Sequence, residues 1–296
     1  MKSIMYHYVR DFNPKFPFFN SLSIKSFKKQ IEYFNKKGIL KNEKQFYDNS
    51  AEIVLTFDDG LKDHIYVAEE LKKINIVGIF FISTYPMIKH DLLDVHKAHL
   101  INGKVGGKKA LDGLNEYLKK NGIVNFINND EKERFKKKYS KNVDTDEKKE
   151  FKKIINYYGN IKLKTKILDE LLIKFKIKIS SEDFYMNSEE IKYLSDLGMV
   201  IGSHSVNHNL LSRLSEAEQR NEIKNSKDLI ESIIKKKCNF FSFPYGGKDS
   251  YNDLTLKLLK KLNYDYSFTV KSNNFYKKDL ETMPLELPRF DCIEFE

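Results

Sequence analysis

Seven short apolar, β-rich segments punctuate the chain, and most of the intervals between them carry helical patterns. The segments are 3–9 (SIMYHYV), 52–57 (EIVLTF), 78–83 (GIFFIS), 198–203 (GMVIGS), 239–243 (NFFSF), 264–270 (YDYSFTV) and 285–290 (LELPRF). SIKSFKKQIEYFNKKG at 23–38 spaces Phe27, Ile31 and Phe34 along one helical face and stops at Gly38. DHIYVAEELKK at 63–73 repeats that spacing. A third helix is announced by Ser215 with Glu218 three residues on, a reciprocal cap, before Ile223, Ile230, Ile233 and Ile234 recur at helical intervals. Strand–helix alternation implies parallel strands with helices outside. Seven such units predict an α/β fold, a distorted (β/α)7 barrel in preference to a doubly wound open sheet. In either architecture the chemistry belongs at the C-terminal ends of the strands.

The rhythm breaks once. Residues 86–189 carry no convincing strand and are dense in Lys, Glu and Asn, with helical patches such as EKKEFKKIINYY and KTKILDELLIKF. This stretch reads as a long helical insertion after the third strand, so that 1–85 and 190–296 make up the barrel. A lid over the barrel mouth and a solvated excursion are both compatible with that pattern. The longest apolar run, IVGIFFI at 76–82, is far below the roughly 20 residues of a membrane helix. After Met1-Lys2 the chain enters SIMYHYV with no leader-like run, which places the expectation in the cytoplasm. The two cysteines, Cys238 and Cys292, fit no metal spacing or disulfide framework. The formal charge of +10 comes mostly from lysine, and the five arginines are too few to suggest a nucleic-acid reader. Such a surface suits an anionic small substrate such as a sugar nucleotide.

The strand ends hold the unusual residues. LTFDDG at 55–60 runs an apolar segment into Asp58 and Asp59, two adjacent carboxylates that repel each other and resist desolvation. GSHSVNH follows the fourth segment and sets His204 and His208 four residues apart, near enough to converge on one metal. Two histidines and one carboxylate leave coordination positions open, and a divalent cation makes an acidic pair tolerable. One aspartate is then a ligand and the other a base, while the metal lowers the pKa of water toward ~7. SFPYGG follows the fifth segment, Arg289 and Asp291 stand on the seventh, and His7 on the first.

In order and spacing, T56-F-D-D-G60, H204-S-V-N-H208 and F243-P-Y-G246 resemble the first three motifs of the NodB-homology polysaccharide deacetylases, carbohydrate esterase family four. The resemblance covers 1–85 and 190–296 and omits the insertion. It implies a distorted (β/α)7 barrel that hydrolyses N-acetyl groups on sugars. It implies Asp58 as general base, with Asp59, His204 and His208 holding a divalent metal, usually zinc. The backbone N–H of Tyr245 then helps form an oxyanion hole, aimed by Pro244. Two positions depart from the family pattern. Many members carry an arginine two residues before the proline of the third motif, where it orients the catalytic aspartate, and this chain has Ser242 there. Arg289 is the candidate substitute, against the simpler reading of an ion pair with Asp291. The family often takes its general acid from a late histidine, and this chain has none after His208. His7 is the candidate acid, against the reading of a half-buried structural histidine.

HDLLDVHKAH at 90–99 offers Asp91, Asp94, His96 and His99 as an alternative second metal group, and KERFKKK at 132–138 reads as a solvated helix face. The leading expectation is a metal-dependent hydrolase removing an N-acetyl or similar N-acyl group from a sugar. A glycan precursor of surface polysaccharide fits best, either a sugar nucleotide or a lipid-linked saccharide. The competing expectations are a catalytically impaired sugar-binding protein and a hydrolase of a non-sugar C–N bond. The acyl group, the sugar and the oligomeric state are not fixed by these residues.

Overall fold

A computed structural model of the chain describes residues 1–140 and 144–295. Its seven strands are β1 (Lys2–Tyr6), β2 (Ile53–Phe57), β3 (Gly78–Ile82), β4 (Val200–Ser203), β5 (Phe240–Ser242), β6 (Tyr266–Phe268) and β7 (Phe290–Asp291). They form one sheet in the order β6-β5-β4-β3-β2-β1-β7, and every pairing is parallel. A parallel bridge from Phe268 to Leu287 joins the β6 edge to the segment leading into β7. The result is a curled sheet with helices between successive strands, the distorted (β/α)7 barrel that the alternation predicts.

The central strands explain why the sheet is parallel and covered. β2 (IVLTF) and β3 (GIFFI) are buried at every position, the continuous apolar run of a strand packed on both faces. Phe57 stacks on Phe80 at 4.6 Å and on Tyr6 at 5.1 Å between ring centroids. Helix Ile24–Asn35 buries Phe27, Ile31 and Phe34 and is capped by Ser23, whose side chain accepts from Ser26 N. Helix Asp63–Lys73 buries His64, Val67, Ala68 and Leu71. Helix Glu216–Ile234 begins with the reciprocal cap between Ser215 and Glu218.

Every strand is shorter than the segment that predicted it, and at two of them the difference moves a site residue off the strand. β1 ends at Tyr6, so His7 lies just beyond it, and β7 is only two residues, so Arg289 immediately precedes it. Near β7 the cause is proline: Pro284 opens a short 3-10 turn, and Pro288 has no N–H to give a ladder.

The chain divides into two compact units. The first holds the sheet and comprises Met1–Asp11, Ser21–Asp91 and the chain from Ser181 onward. The second comprises Phe12–Asn20 and Leu92–Ser180, and among its described residues every regular element is helical. Its long helix, Asp94–Lys120, is broken at Gly106, where φ is 78°. The next glycine lets helix Asp146–Lys153 approach closely, since a Cβ on Gly107 would stand 2.4 Å from the backbone nitrogen of Lys148.

Candidate active site

β2 delivers Asp58 and Asp59 to the C-terminal rim. Asp59 has φ of 81° and Gly60 of 71°, so the chain reverses its twist at the second aspartate and the two carboxylates part company. A non-glycine residue in that region costs on the order of 1 kcal/mol, tolerable only where the surroundings over-determine it. Both side chains are buried.

Asp58 is held by Arg289, which is fully buried. Arg289 Nη1 donates to Asp58 Oδ1 at 2.8 Å and Nη2 donates to Oδ2 at 2.8 Å, a bidentate pair. The same guanidinium donates from Nη2 to Ser242 Oγ at 2.8 Å, from Nη1 to Thr56 Oγ1 at 3.2 Å and from Nε to the Thr269 carbonyl at 3.3 Å. Ser242 Oγ in turn donates to Asp58 Oδ2 at 3.1 Å. The Asp291 carboxylate instead accepts from the backbone of Ile293, so the ion pair within the seventh segment does not form. Burial alone would raise the Asp58 pKa, but the Arg289 charge, with contributions from His204 and His7, overcomes it and brings the carboxyl down to about 2.

Asp59 turns the other way. His204 Nε2 and His208 Nε2 each lie 3.5 Å from Asp59 Oδ1. His204 Nδ1 sits 2.7 Å from the Ser242 carbonyl, which can only accept. The proton is therefore on Nδ1, and the Nε2 lone pair faces Asp59. Burial lowers the His204 pKa against the pull of both aspartates, which favours the neutral, ligating imidazole. One ligand atom from each of the three buried residues lies within 4.8 Å of the others. Two donors bound tetrahedrally to zinc at about 2.1 Å stand about 3.4 Å apart, close to the two Asp59 distances. The donor set and its spacing fit a divalent metal. Among the described residues this is the one such group. The alternative at 90–99 does not assemble: Asp94 accepts from Thr165 Oγ1 and faces Lys164, because its helix packs against the one that begins at Lys164.

Tyr245 and Gly246 follow β5 with φ of 64° and 59°. Gly246 is required twice over, since a Cβ there would also meet Val270 Cγ2 at 2.3 Å. The Tyr245 ring stands edge-to-face on His208 with centroids 4.8 Å apart, a contact the motif gave no hint of. A cavity of about 470 Å³ borders the motif at Gly246, lined also by Thr269, Tyr251 and Asn274.

His7 is half-buried just past β1, and its charge acts on Asp58. Its carbonyl accepts from Nε2 of the fully buried His64 at 3.0 Å. His64 escaped the sequence reading, although its place with Val67, Ala68 and Leu71 on one helical face marks it as a core position.

A family model described as polysaccharide deacetylase matches residues 161–267, a span that holds HSVNH and FPYG but not Asp58 and Asp59. Over 87 residues the chain is 29% identical to a Bacillus subtilis (strain 168) protein named "Putative polysaccharide deacetylase YxkH". That alignment takes in 29% of this chain and 30% of the relative, so the likeness spans under a third of either. Among solved structures, the fold is similar to the Streptococcus pyogenes deacetylase PplD in complex with acetate, with TM-score 0.61, 16% identity, and 98% of this chain and 91% of that one covered. It is similar to the polysaccharide deacetylase BC0361 from Bacillus cereus, with TM-score 0.57, 16% identity and coverage of 98% and 64%. It is also similar to IcaB from Ammonifex degensii, with TM-score 0.56, 14% identity and coverage of 98% and 90%. These structural likenesses speak for the fold.

Proposed function

Because this chain is a relative of the polysaccharide deacetylases, we propose that it is a metal-dependent hydrolase that removes an N-acetyl or similar N-acyl group from a sugar. The observation that supports this reading best is the pairing of two sites at one strand end: a buried Asp59/His204/His208 group and, one residue away, a carboxylate locked by Arg289.

The residues divide the work. Asp59, His204 and His208 would hold a divalent metal, with zinc the choice we would test first; when bound it supplies a Lewis acid and lowers the pKa of water. Arg289 keeps Asp58 ionised and fixes its plane, so Asp58 is the general base. A carboxylate held this low takes a proton only during the reaction and gives it up again. The Tyr245 backbone N–H is aimed at the developing oxyanion by a backbone turned left-handed at Tyr245. His7 protonates the departing amine, which is otherwise a poor leaving group. The cavity that Gly246 borders, next in the chain to Tyr245, is where we would look first for a sugar. A glycan precursor, carried on a nucleotide or a lipid, is the substrate class we take forward.

The test is acetate release by the zinc-loaded protein from a panel of N-acetylated sugars, sugar nucleotides and oligosaccharides, with Asp58→Asn as control. Turnover that falls at least ~100-fold in Asp58→Asn supports the reading. A wild type that holds zinc and binds a sugar of the panel but releases no acetate overturns it in favour of a sugar-binding protein.

A further inference from the structure

The two metal-facing histidines flank a loop whose shape is not one a chain adopts by default. Ser205 and His208 both have positive φ, 64° and 55°, in the left-handed region that L-residues with side chains avoid. One edge of the loop is tied down from the strand side. Thr84 N donates to the Ser205 carbonyl at 3.2 Å, and Tyr85 N donates to the Val206 carbonyl at 3.0 Å. That uses the loop's acceptors and leaves its donors to be satisfied from elsewhere.

Ser205 N donates to Ser203 Oγ at 3.4 Å and His208 N to Ser205 Oγ at 3.2 Å, and the donors between them are met by a single carboxylate. Glu222, on helix Glu216–Ile234, is buried, and its oxygens collect the N–H groups of the two residues midway between the histidines. Oε2 accepts from Val206 N at 3.0 Å and from Asn207 N at 2.8 Å, while Oε1 accepts from Asn207 Nδ2 at 2.5 Å. All three hydrogen bonds come from the loop. Among the described residues Glu222 forms no ion pair, so its charge is spent on this loop alone. Hydrogen bonds from N–H groups to an ionised carboxylate are about twice as strong as neutral ones.

We propose that Glu222 is the positioning residue of the metal site, a buried carboxylate that locks the His204–His208 loop in its left-handed form so that both imidazoles face Asp59 before any ion arrives. The inference rests on the metal reading above. Without Glu222 two backbone N–H groups and the Asn207 amide lose their charged acceptor, and the loop relaxes out of its strained form. The metal must then bear the cost of reordering it.

The experiment measures zinc affinity by competition with a chromophoric chelator, and the ligand-field spectrum of the cobalt-substituted protein. The proteins are wild type, Glu222→Ala, Glu222→Gln and Glu218→Ala. Glu218→Ala removes the carboxylate half of the cap of the same helix, which accepts from Ser215, so it reports what helix destabilisation alone does. Zinc affinity is expected to fall about 10–100-fold in Glu222→Ala, the range found when a group that orients a metal ligand is removed. Glu222→Gln, which keeps the acceptor for the backbone N–H groups, recovers part of the loss and guards against an alanine variant that fails to fold. Glu218→Ala keeps wild-type affinity and the wild-type cobalt spectrum. Affinity within threefold of wild type in Glu222→Ala, or an equal loss in Glu218→Ala, overturns the positioning role. A wild type that takes up no zinc overturns the metal reading, and this inference with it.

Discussion

Replacing Arg289 by methionine tests the electrostatic centre of the site. The substitution keeps an unbranched chain of similar volume and removes the guanidinium and its five hydrogen bonds: two to Asp58, one each to Ser242, Thr56 and the Thr269 carbonyl. Asp58 is then a buried carboxylate without its cation. Removing one member of a buried pair costs about 3–5 kcal/mol, because the partner's desolvation is left uncompensated. With an unfolding entropy of about 2.1 cal/mol/K per residue over 296 residues, that lowers Tm by roughly 5–8 °C. The Asp58 pKa, now about 2, rises above the ordinary carboxylate range because burial goes unopposed. The acid limb of the rate profile moves to higher pH, and turnover falls with it. Thermal unfolding followed by circular dichroism, on Arg289→Met, Asp58→Asn and the double variant, closes the cycle. The double variant is expected to be more stable than Arg289→Met alone, because the orphaned charge has gone. Additive losses, or an Arg289→Met protein within 2 °C of wild type, would refute the reasoning.

Four further outcomes follow from other contacts. His208→Ala and His204→Ala each lose bound zinc, read as metal per chain by elemental analysis, while the wild type holds about one. Burial holds His64 down to about 4 against an unfolded value of about 6.5, so the unfolded chain takes the proton first as pH falls. His64 therefore costs nothing above pH 7 and about 2 kcal/mol of stability by pH 5, with the loss levelling off below about pH 4; His64→Phe should be less acid-sensitive by that amount in denaturant titrations at pH 8 and pH 5. Gly246→Ala puts a Cβ 2.3 Å from Val270 Cγ2 at a positive φ and is expected to cost at least about 2 kcal/mol, measured by urea unfolding. Ser242→Arg crowds a second guanidinium against Arg289 in a fully buried place and unfolds the barrel at lower temperature, whereas the exchange of Ser242→Arg with Arg289→Ser recovers part of that loss.

Much of the barrel is legible in the sequence because its central strands are buried on both faces, and a run such as IVLTF or GIFFI has no polar side to disguise it. The clustering of Asp59, His204 and His208 is legible because the three residues sit in two short motifs at strand ends. What escapes is whatever depends on a third element. Glu222 looks like one more polar residue in a capped, solvated helix, and only the packing of that helix on the loop after β4 turns its carboxylate inward. The Tyr245 ring on His208 and His64 under His7 escape for the same reason. Strand length fails most where proline intervenes: of the six-residue segment 285–290 only Phe290 lies in β7.

The arginine shows how a sequence departure and a structural constant can coincide. A buried, ionised carboxylate needs a cation beside it, but nothing requires that the cation come from a particular strand. Asp58 and Arg289 are 231 residues apart, yet β2 and β7 both flank β1, so the curl of the sheet brings their ends to one place. Ser242, at the position where relatives often carry the arginine, has not simply lost a function. Its hydroxyl accepts from Arg289 and donates to Asp58, bridging the pair in the space that a guanidinium from β5 would fill. A small residue on β5 is thus the condition for a large one before β7. The two positions are one choice, and the exchange variant, not either single change, is the fair measure of it.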